Sequence, residues 1–260
     1  MHDGLAQISP QRRFSPCHHG ATSLTRPRLM IDRHAHPDAS VVDAIIRSRR
    51  AIRFFREDAV ARRVIEDILD VARNAPSNSN TQPWRVYALT GARKLALSEA
   101  LRQAHDEDAH PPLRHMPDPL PDDMRSRQET FGMRYYGALG VPKSDLRLRS
   151  NVTARNYDFF GAPVGLIFAI DSTLTKYSWL DYGIFIQTVM LAARAVGLAT
   201  CAQVSFARFQ NVIADHLDFA PGYEVVCGMS LGFSDEEAAV NRIDMAREPV
   251  QKFSTFLGFD

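Results

Sequence analysis

The stretch that decides the fold is SWLDYGIFIQTVMLAARAVG, residues 178 to 197. It is long enough for about five helical turns. It opens on a capping pair, Ser178 with Asp181 three residues on, and closes on Gly197. Apolar side chains lie nearly all round it, among them Trp179, Leu180, Tyr182, Ile184, Phe185, Ile186, Val189, Met190 and Leu191. A helix of that kind is either buried in a large core or spans a membrane. Asp181, Gln187 and Arg194 interrupt it before it reaches the roughly 20 apolar residues of a membrane span. It is therefore expected to be the buried, central helix of a soluble protein.

The flanking segments suit that role. Ahead of it, Phe159-Phe160-Gly161-Ala162-Pro163 leads into an apolar strand, Val164 to Ile170. Behind it come a short strand around Leu198 to Val204, an amphipathic helix from Phe206 to Leu217, and a strand with partial alternation from Tyr223 to Phe233. Further upstream, Trp84 to Leu89 reads as a strand. Val60, Val64, Ile65, Ile68, Leu69 and Ala72 form the stripe of a helix that stops at Asn74-Ala75-Pro76. Ser40 is placed to cap a first helix carrying Val41, Val42, Ala44, Ile45 and Ile46. Helices around one sheet, with no internal repeat and no linker, predict a single mixed α+β domain over residues 38–260.

Composition agrees with a globular protein. Of 260 residues, 45% are hydrophobic and 23% charged, and 31 Lys+Arg against 30 Asp+Glu leave a net charge of +1. Nucleic-acid binders carry a basic excess, and disordered chains lack the apolar content to fold, so neither class is expected. Cys17, Cys201 and Cys227 have no metal-ligand or disulfide spacing, which points to a reducing, cytoplasmic compartment without a metal centre. Cys201 and Cys227 lie in apolar strands and read as packing residues, and His216 as a helix-surface residue. Residues 1–37 hold Arg12, Arg13, Arg26, Arg28 and Arg33 among prolines, together with His2, His18, His19, His34 and His36. Without apolar periodicity they read as a poorly ordered leader. Residues 105–140 begin with His105, His110, His115 and five prolines, then continue into a helix-compatible run, Met124 to Leu139, holding Phe131, Met133, Tyr135 and Tyr136. This is a surface excursion with ordinary packing aromatics, or a flap over a pocket.

Three segments could bind a ligand. Arg47 to Arg56 holds Arg49, Arg50 and Arg53 with few local acids before Glu57 and Asp58. If the helix continued through it, Arg49 and Arg53 would be like charges one turn apart. Such a cluster is a solvated helix end or a phosphate seat, since guanidinium groups grip phosphate oxygens with paired hydrogen bonds. The loop Ala75-Pro76-Ser77-Asn78-Ser79-Asn80-Thr81-Gln82-Pro83-Trp84 offers amides and hydroxyls suited to a flat heterocycle, or to bonding its own backbone. Arg247-Glu248-Pro249 is the third. No glycine-rich phosphate loop, nucleophile elbow or His-Glu-x-x-His motif occurs. A binding site without its own acid, base or nucleophile is the mark of chemistry done by a cofactor.

The succession of Ser48-Arg49-Arg50-x-x-Arg53-x-Phe55, Ala75-Pro76-Ser77-x-x-Asn80-x-Gln82-Pro83-Trp84, Gly197 to Gln203, Cys227 to Phe233 and Arg247-Glu248-Pro249 resembles the nitroreductase family of FMN-dependent oxidoreductases. The resemblance runs from about residue 41 to 259, and is to the oxygen-insensitive bacterial type. It implies a mostly antiparallel sheet flanked by helices, an inserted flap at 105–140, and a homodimer whose two FMN sites are each completed by the second chain. It further implies that Arg49, Arg50 and Ala51 line the phosphate and ribityl end, that Arg53 reaches the pyrimidine edge, that Asn80 bonds that edge from a partner-facing loop, and that Arg247 closes on the phosphate. Val204 and Ser205 would face the flavin N5, and Phe131, Tyr135 and Tyr136 would shape the substrate pocket. Ala51 stands where many members have serine, Met245 where some have a second cation, and Ala202 where a proline is frequent. The implied activity is a ping-pong reduction of a small planar nitroaromatic by NADH or NADPH in two-electron steps. Quinones, enones or halogenated aromatics as acceptors, or flavin binding without turnover, are the alternatives.

Overall fold

The computed structural model describes residue 36, residues 38–107 and residues 116–259. The chain divides between Ser40 and Val41 into two units, and the fold is that of the second. The leader expected over 1–37, apart from His36, and the residues 108–115 of the expected flap lie outside the described residues, as does Cys17.

Four strands, β1 (Arg85–Leu89), β2 (Val164–Asp171), β3 (Ala199–Gln203) and β4 (Tyr223–Gly232), form one sheet in the order β1-β2-β4-β3. Every neighbouring pair is antiparallel, as the α+β reading expects. β2, at the centre, is buried from Val164 to Ile170. Its side chains alternate between two layers. Leu166, Phe168 and Ile170 pack with Ile65 and Ile68 of α2 (Arg62–Ala72) and with Phe185 and Val189 of α6 (Lys176–Ala195). Ile167, on the opposite face, packs with Leu97 and Leu101 of α3 (Gly91–Asp106) and Ile213 of α7 (Gln210–Leu217). Because both faces are covered, β4 is buried continuously from Cys227 to Gly232 instead of alternating as expected for 223–233. A side chain at Gly228 would meet the Phe206 ring at 2.5 Å, so the ring lies directly on the β4 backbone.

Helix boundaries differ from the expected caps. α1 spans Ala39–Ser48, so Ser40 is inside it; the chain already turns at Ala39, whose N–H bonds the carbonyl of His36. α6 starts at Lys176 after Thr175, and the N–H of Ser178 is already bonded to the Thr175 carbonyl, so Ser178 is not the cap. Residues 206–217 divide into a 3-10 segment (Val204–Phe209) and α7. α4 (Asp122–Ala138) matches the helix expected from Met124, whereas α3, which takes in His105, and α5 (Leu146–Ala154) were not anticipated.

The central helix departs most from expectation. Tyr182, Phe185, Val189 and Ala193 of α6 are buried, but Tyr177 and Leu180 are 63% and 65% exposed and Trp179 and Ile184 more than a third exposed. Its apolar girdle is therefore half core and half open face within one chain. Among the described residues, no helix is long and apolar enough to cross a membrane.

Candidate functional site

The site grows from the arginine-rich arm after α1. The helix stops at Ser48, so Arg49 and Arg53 never become neighbours on a helix. The arm is instead sewn to the sheet. Ala51 forms a parallel bridge with Thr200 of β3, and the N–H of Ile52 donates to the Thr200 carbonyl at 3.1 Å. Beyond it Phe55 bridges Ser234 in antiparallel sense, the N–H of Arg56 donates to the Phe233 carbonyl at 2.9 Å, and the N–H of Asp235 donates to the Phe54 carbonyl at 3.1 Å. Asn241, buried, completes the stitching: its Oδ1 accepts from the Arg53 N–H at 2.9 Å and its Nδ2 donates to the Phe54 and Asp235 carbonyls. Ile52 anchors the arm in the core, and the arginines are left facing a cavity.

That cavity measures about 960 Å³, within reach of the size of cofactor pockets. Arg47, Arg49, Arg50, Ala51 and Arg53 form one wall, and Met245, Ala246 and Arg247 another. Arg127 and Phe131 enter from α4. Six arginines thus line it against two carboxylates, Asp244 and Glu248. Arg50 approaches Asp244 at only 3.8 Å. Arg53 lies 5.1 Å from the ring centroids of Phe131 and Tyr135 and donates to the Ala51 carbonyl. Arg247 donates to the Met245 carbonyl at 2.8 Å. Half-burial, and then the facing charge of Arg247, lower the pKa of Arg49 from the usual arginine value. Among the described residues neither of these two guanidinium groups meets a carboxylate. Two facing cations held by a rigid backbone are what a phosphate dianion would neutralise, so the donor set fits the phosphate end of FMN.

The other expected residues are placed differently. In the loop before β1, Ser79, Asn80 and Gln82 adopt left-handed backbone angles. The loop closes on itself through the Gln82 N–H to Ser77 Oγ and is tied to α6 by the Asn78 N–H to Asp181 Oδ2, both 3.0 Å. Asn80 is exposed there and does not line the cavity of its own chain. Val204 is exposed, and the Ser205 hydroxyl is buried without a hydrogen-bond partner; neither lines the cavity. Of the three aromatics expected at the substrate pocket, only Phe131 reaches it. Tyr135 stacks beneath Phe131 and is buried with Val141, Val152 and Val240, while Tyr136 packs under the Arg149 guanidinium at 3.7 Å. Both sit in the turn of α4 nearest that small core, which claims them. Arg127 and Asn241 were missed by sequence reasoning. Arg127 stands in the segment taken as a variable flap, and Asn241 carries no motif.

The geometry can be set beside proteins already known. Residues 46–233 match the model of the nitroreductase family. The chain is 55% identical over 218 residues to a 4-nitrobenzoate reductase of Pseudomonas putida, covering 84% of this chain and 96% of that one. It is 38% identical over 224 residues to a nitrobenzene nitroreductase of Ectopseudomonas oleovorans, covering 85% and 99%. Among solved structures, the FMN-dependent nitroreductase NfnB from Mycobacterium smegmatis in complex with NADPH superposes with a TM-score of 0.80 at 32% identity, over 84% of this chain and 99% of that one. Motif order, sheet topology and these matches agree: the chain belongs to the nitroreductase family.

Proposed function

We propose that the protein is a cytoplasmic, FMN-dependent reductase of nitroaromatic compounds that draws on NADPH or NADH. The observation that carries this is the pair of unneutralised cations, Arg49 and Arg247, held face to face across a cavity of cofactor size. Arg49, Arg50 and Arg247 would hold the phosphate, Ala51 would lie beside the ribityl chain, and Arg53 would stand at the pyrimidine edge. There a fixed positive charge stabilises the negative charge that arrives with hydride. When bound, FMN supplies the relay of a hydride equivalent from nicotinamide to acceptor. Phe131 offers the acceptor a ring face, and Tyr135 beneath it keeps Arg53 in a dry, aromatic setting.

The reaction is proposed to run as a ping-pong cycle, with oxidised nicotinamide leaving before the nitroarene enters. Each turn consumes one reduced nicotinamide and one proton. The first takes the nitro group to nitroso with release of water, and the second takes nitroso to hydroxylamine. The chain contributes positioning and charge, and protons come from solvent.

A homodimer belongs to the same proposal. The open face of α6 (Tyr177, Leu180, Ile184), Val41, Val42 and Ile46 of α1, and Phe253, Phe256, Leu257 and Phe259 all expose large apolar side chains, the kind of surface that a partner covers. A second copy covering them would bring Asn80 to the flavin from across the interface, and Val204 and Ser205 would face its N5 region.

The test is FMN-reconstituted protein assayed anaerobically with NADPH and NADH against nitrobenzene, 4-nitrobenzoate and a benzoquinone. Two nicotinamides consumed per hydroxylamine formed, with parallel double-reciprocal lines, is the expected result. Protein that takes up no FMN, or that reduces only the quinone, would refute the proposal.

A further inference from the structure

The cationic surplus of the cavity exceeds what one phosphate and one flavin edge require. Arg127 is supplied by α4, an element apart from the arm and from the segment that carries Arg247. It lies one helical turn before Phe131, and residues four apart share a face of a helix. Both line the cavity, so a guanidinium and an aromatic face are offered side by side from one rigid element. An aryl carboxylate is the ligand with that profile: a flat ring and an adjacent planar anion that a guanidinium can grip with two parallel hydrogen bonds.

Resting on the nitroreductase reading above, we infer that Arg127 selects acceptors bearing a ring carboxylate, the nitrobenzoates, by binding that carboxylate while the ring lies against Phe131. The contacts of Arg127 are those of a group poised for exchange. Nη2 donates to Asp123 Oδ2 at 2.8 Å and Nη1 to Glu248 Oε1 at 3.2 Å. Asp123 lies one turn back on α4 and fixes the direction of the guanidinium, while Glu248 is itself a cavity-lining residue. The Glu248 contact is the longer of the two and comes from another segment, with both partners exposed to water, so this ion pair is the weaker and the readily exchanged one. A substrate carboxylate therefore replaces Glu248 at Nη1, with the Asp123 contact retained, and Glu248 turns to solvent. Neutral nitroarenes leave the Arg127–Glu248 pair in place and gain nothing from it.

The holoenzyme variants Arg127→Met, which keeps the aliphatic stem, and Arg127→Lys, which keeps the charge but not the paired geometry, test this directly. Steady-state constants are measured with 4-nitrobenzoate and with nitrobenzene, and the dissociation constant of benzoate, which carries no nitro group, by calorimetry. Arg127→Met is expected to raise the KM for 4-nitrobenzoate and the benzoate dissociation constant by about tenfold, the scale of one charge-assisted hydrogen bond. The kcat and the KM values for nitrobenzene and NADPH should stay unchanged, and Arg127→Lys should fall between. Equal losses for both acceptors, or a loss confined to the KM for NADPH, would overturn the inference, the latter by assigning Arg127 to the phosphates of the donor. Failure of the wild-type enzyme to reduce any nitroarene would sink the functional reading instead, and benzoate affinity would still decide the role of Arg127.

Discussion

Replacing Arg49 by methionine should have opposite effects on the two forms of the protein. Without FMN, Arg49 is half-buried and faces Arg247, and both circumstances disfavour its charge. Removing it relieves a like-charge contact, so the denaturation midpoint of the FMN-free protein should rise. The increment is small, because Arg49 is only partly buried and solvent screens the pair. With FMN the sign reverses. One charge-assisted hydrogen bond to a phosphate contributes about 1.5 to 3 kcal/mol, which at 1.4 kcal/mol per factor of ten weakens FMN binding by about 10- to 150-fold. Riboflavin, which lacks the phosphate, supplies the control: its affinity should be the same for variant and wild type. The assay is quenching of flavin fluorescence on titration with FMN-free protein, repeated with riboflavin, alongside thermal scans with and without flavin. Equal losses for FMN and riboflavin would place Arg49 at the ring, not at the phosphate. A destabilised FMN-free variant would show that the facing cations are not in conflict, and the reasoning from Arg49 and Arg247 would fall.

Other features give further expectations. Leu180→Glu, on the open face of α6, should convert a dimer to monomer in sedimentation velocity and lose FMN affinity with it; a dimer that survives intact would move the interface elsewhere. Gly228→Ala forces a methyl to within 2.5 Å of the Phe206 ring, and overpacking of this kind costs about 1 to 3 kcal/mol. The urea midpoint should fall, and adding Phe206→Leu should recover part of it. Burial pushes the Cys227 thiol up to about 12 and raises Tyr182 further still. Both groups are raised above their unfolded values of about 8.5 and 10, so their contribution is complete below those values and is lost progressively as pH rises from them through the folded values. Above about pH 8.5 the unfolded chain releases the Cys227 proton that the fold retains, so this thiol should lower stability by about 1.4 kcal/mol per pH unit, and Cys201, likewise raised by burial, adds to the slope. Cys227→Ala should flatten that slope, measured as urea midpoints between pH 8 and 10; an unchanged slope would reject the assignment.

The strands, and the helices α2 and α6 on one face of β2, were readable because their apolar residues are dense and regularly spaced. α3 and α5 escaped because their signals are thin: α3 buries Leu97, Ser98, Leu101 and Ala104 among charged residues, and α5 only Val152 and Ala154. For α6 the composition was read correctly and its burial was not, since a girdle of apolar residues does not say whether the same chain or another covers each side. In the site, Arg49, Arg50 and Arg53 were legible as charges with few local acids and Arg247 only through the family resemblance, and the cavity brings the four together. Tyr135 and Tyr136 read from the residues as ordinary packing aromatics and from the resemblance as pocket residues; the choice between the two depends on Val141, Val152 and Val240 arriving from three other segments. Asn241 holds the arm through three hydrogen bonds to backbone, a role that any isolated asparagine could have had and that only tertiary structure reveals.

The stitching of the arm also sets a timetable. Arg49 is made first of the two, yet the backbone that positions its arm belongs to Thr200, Phe233 and Asp235, and its counterpart in the cavity, Arg247, follows 198 residues later. At about 5 to 20 residues per second, roughly 10 to 40 seconds separate the synthesis of the two arginines. Through that interval the nascent chain has cations but no seat, so cofactor capture waits until Arg247 has been made. A ribosome stalled before residue 200 should display a chain that does not retain flavin, whatever the flavin supply around it.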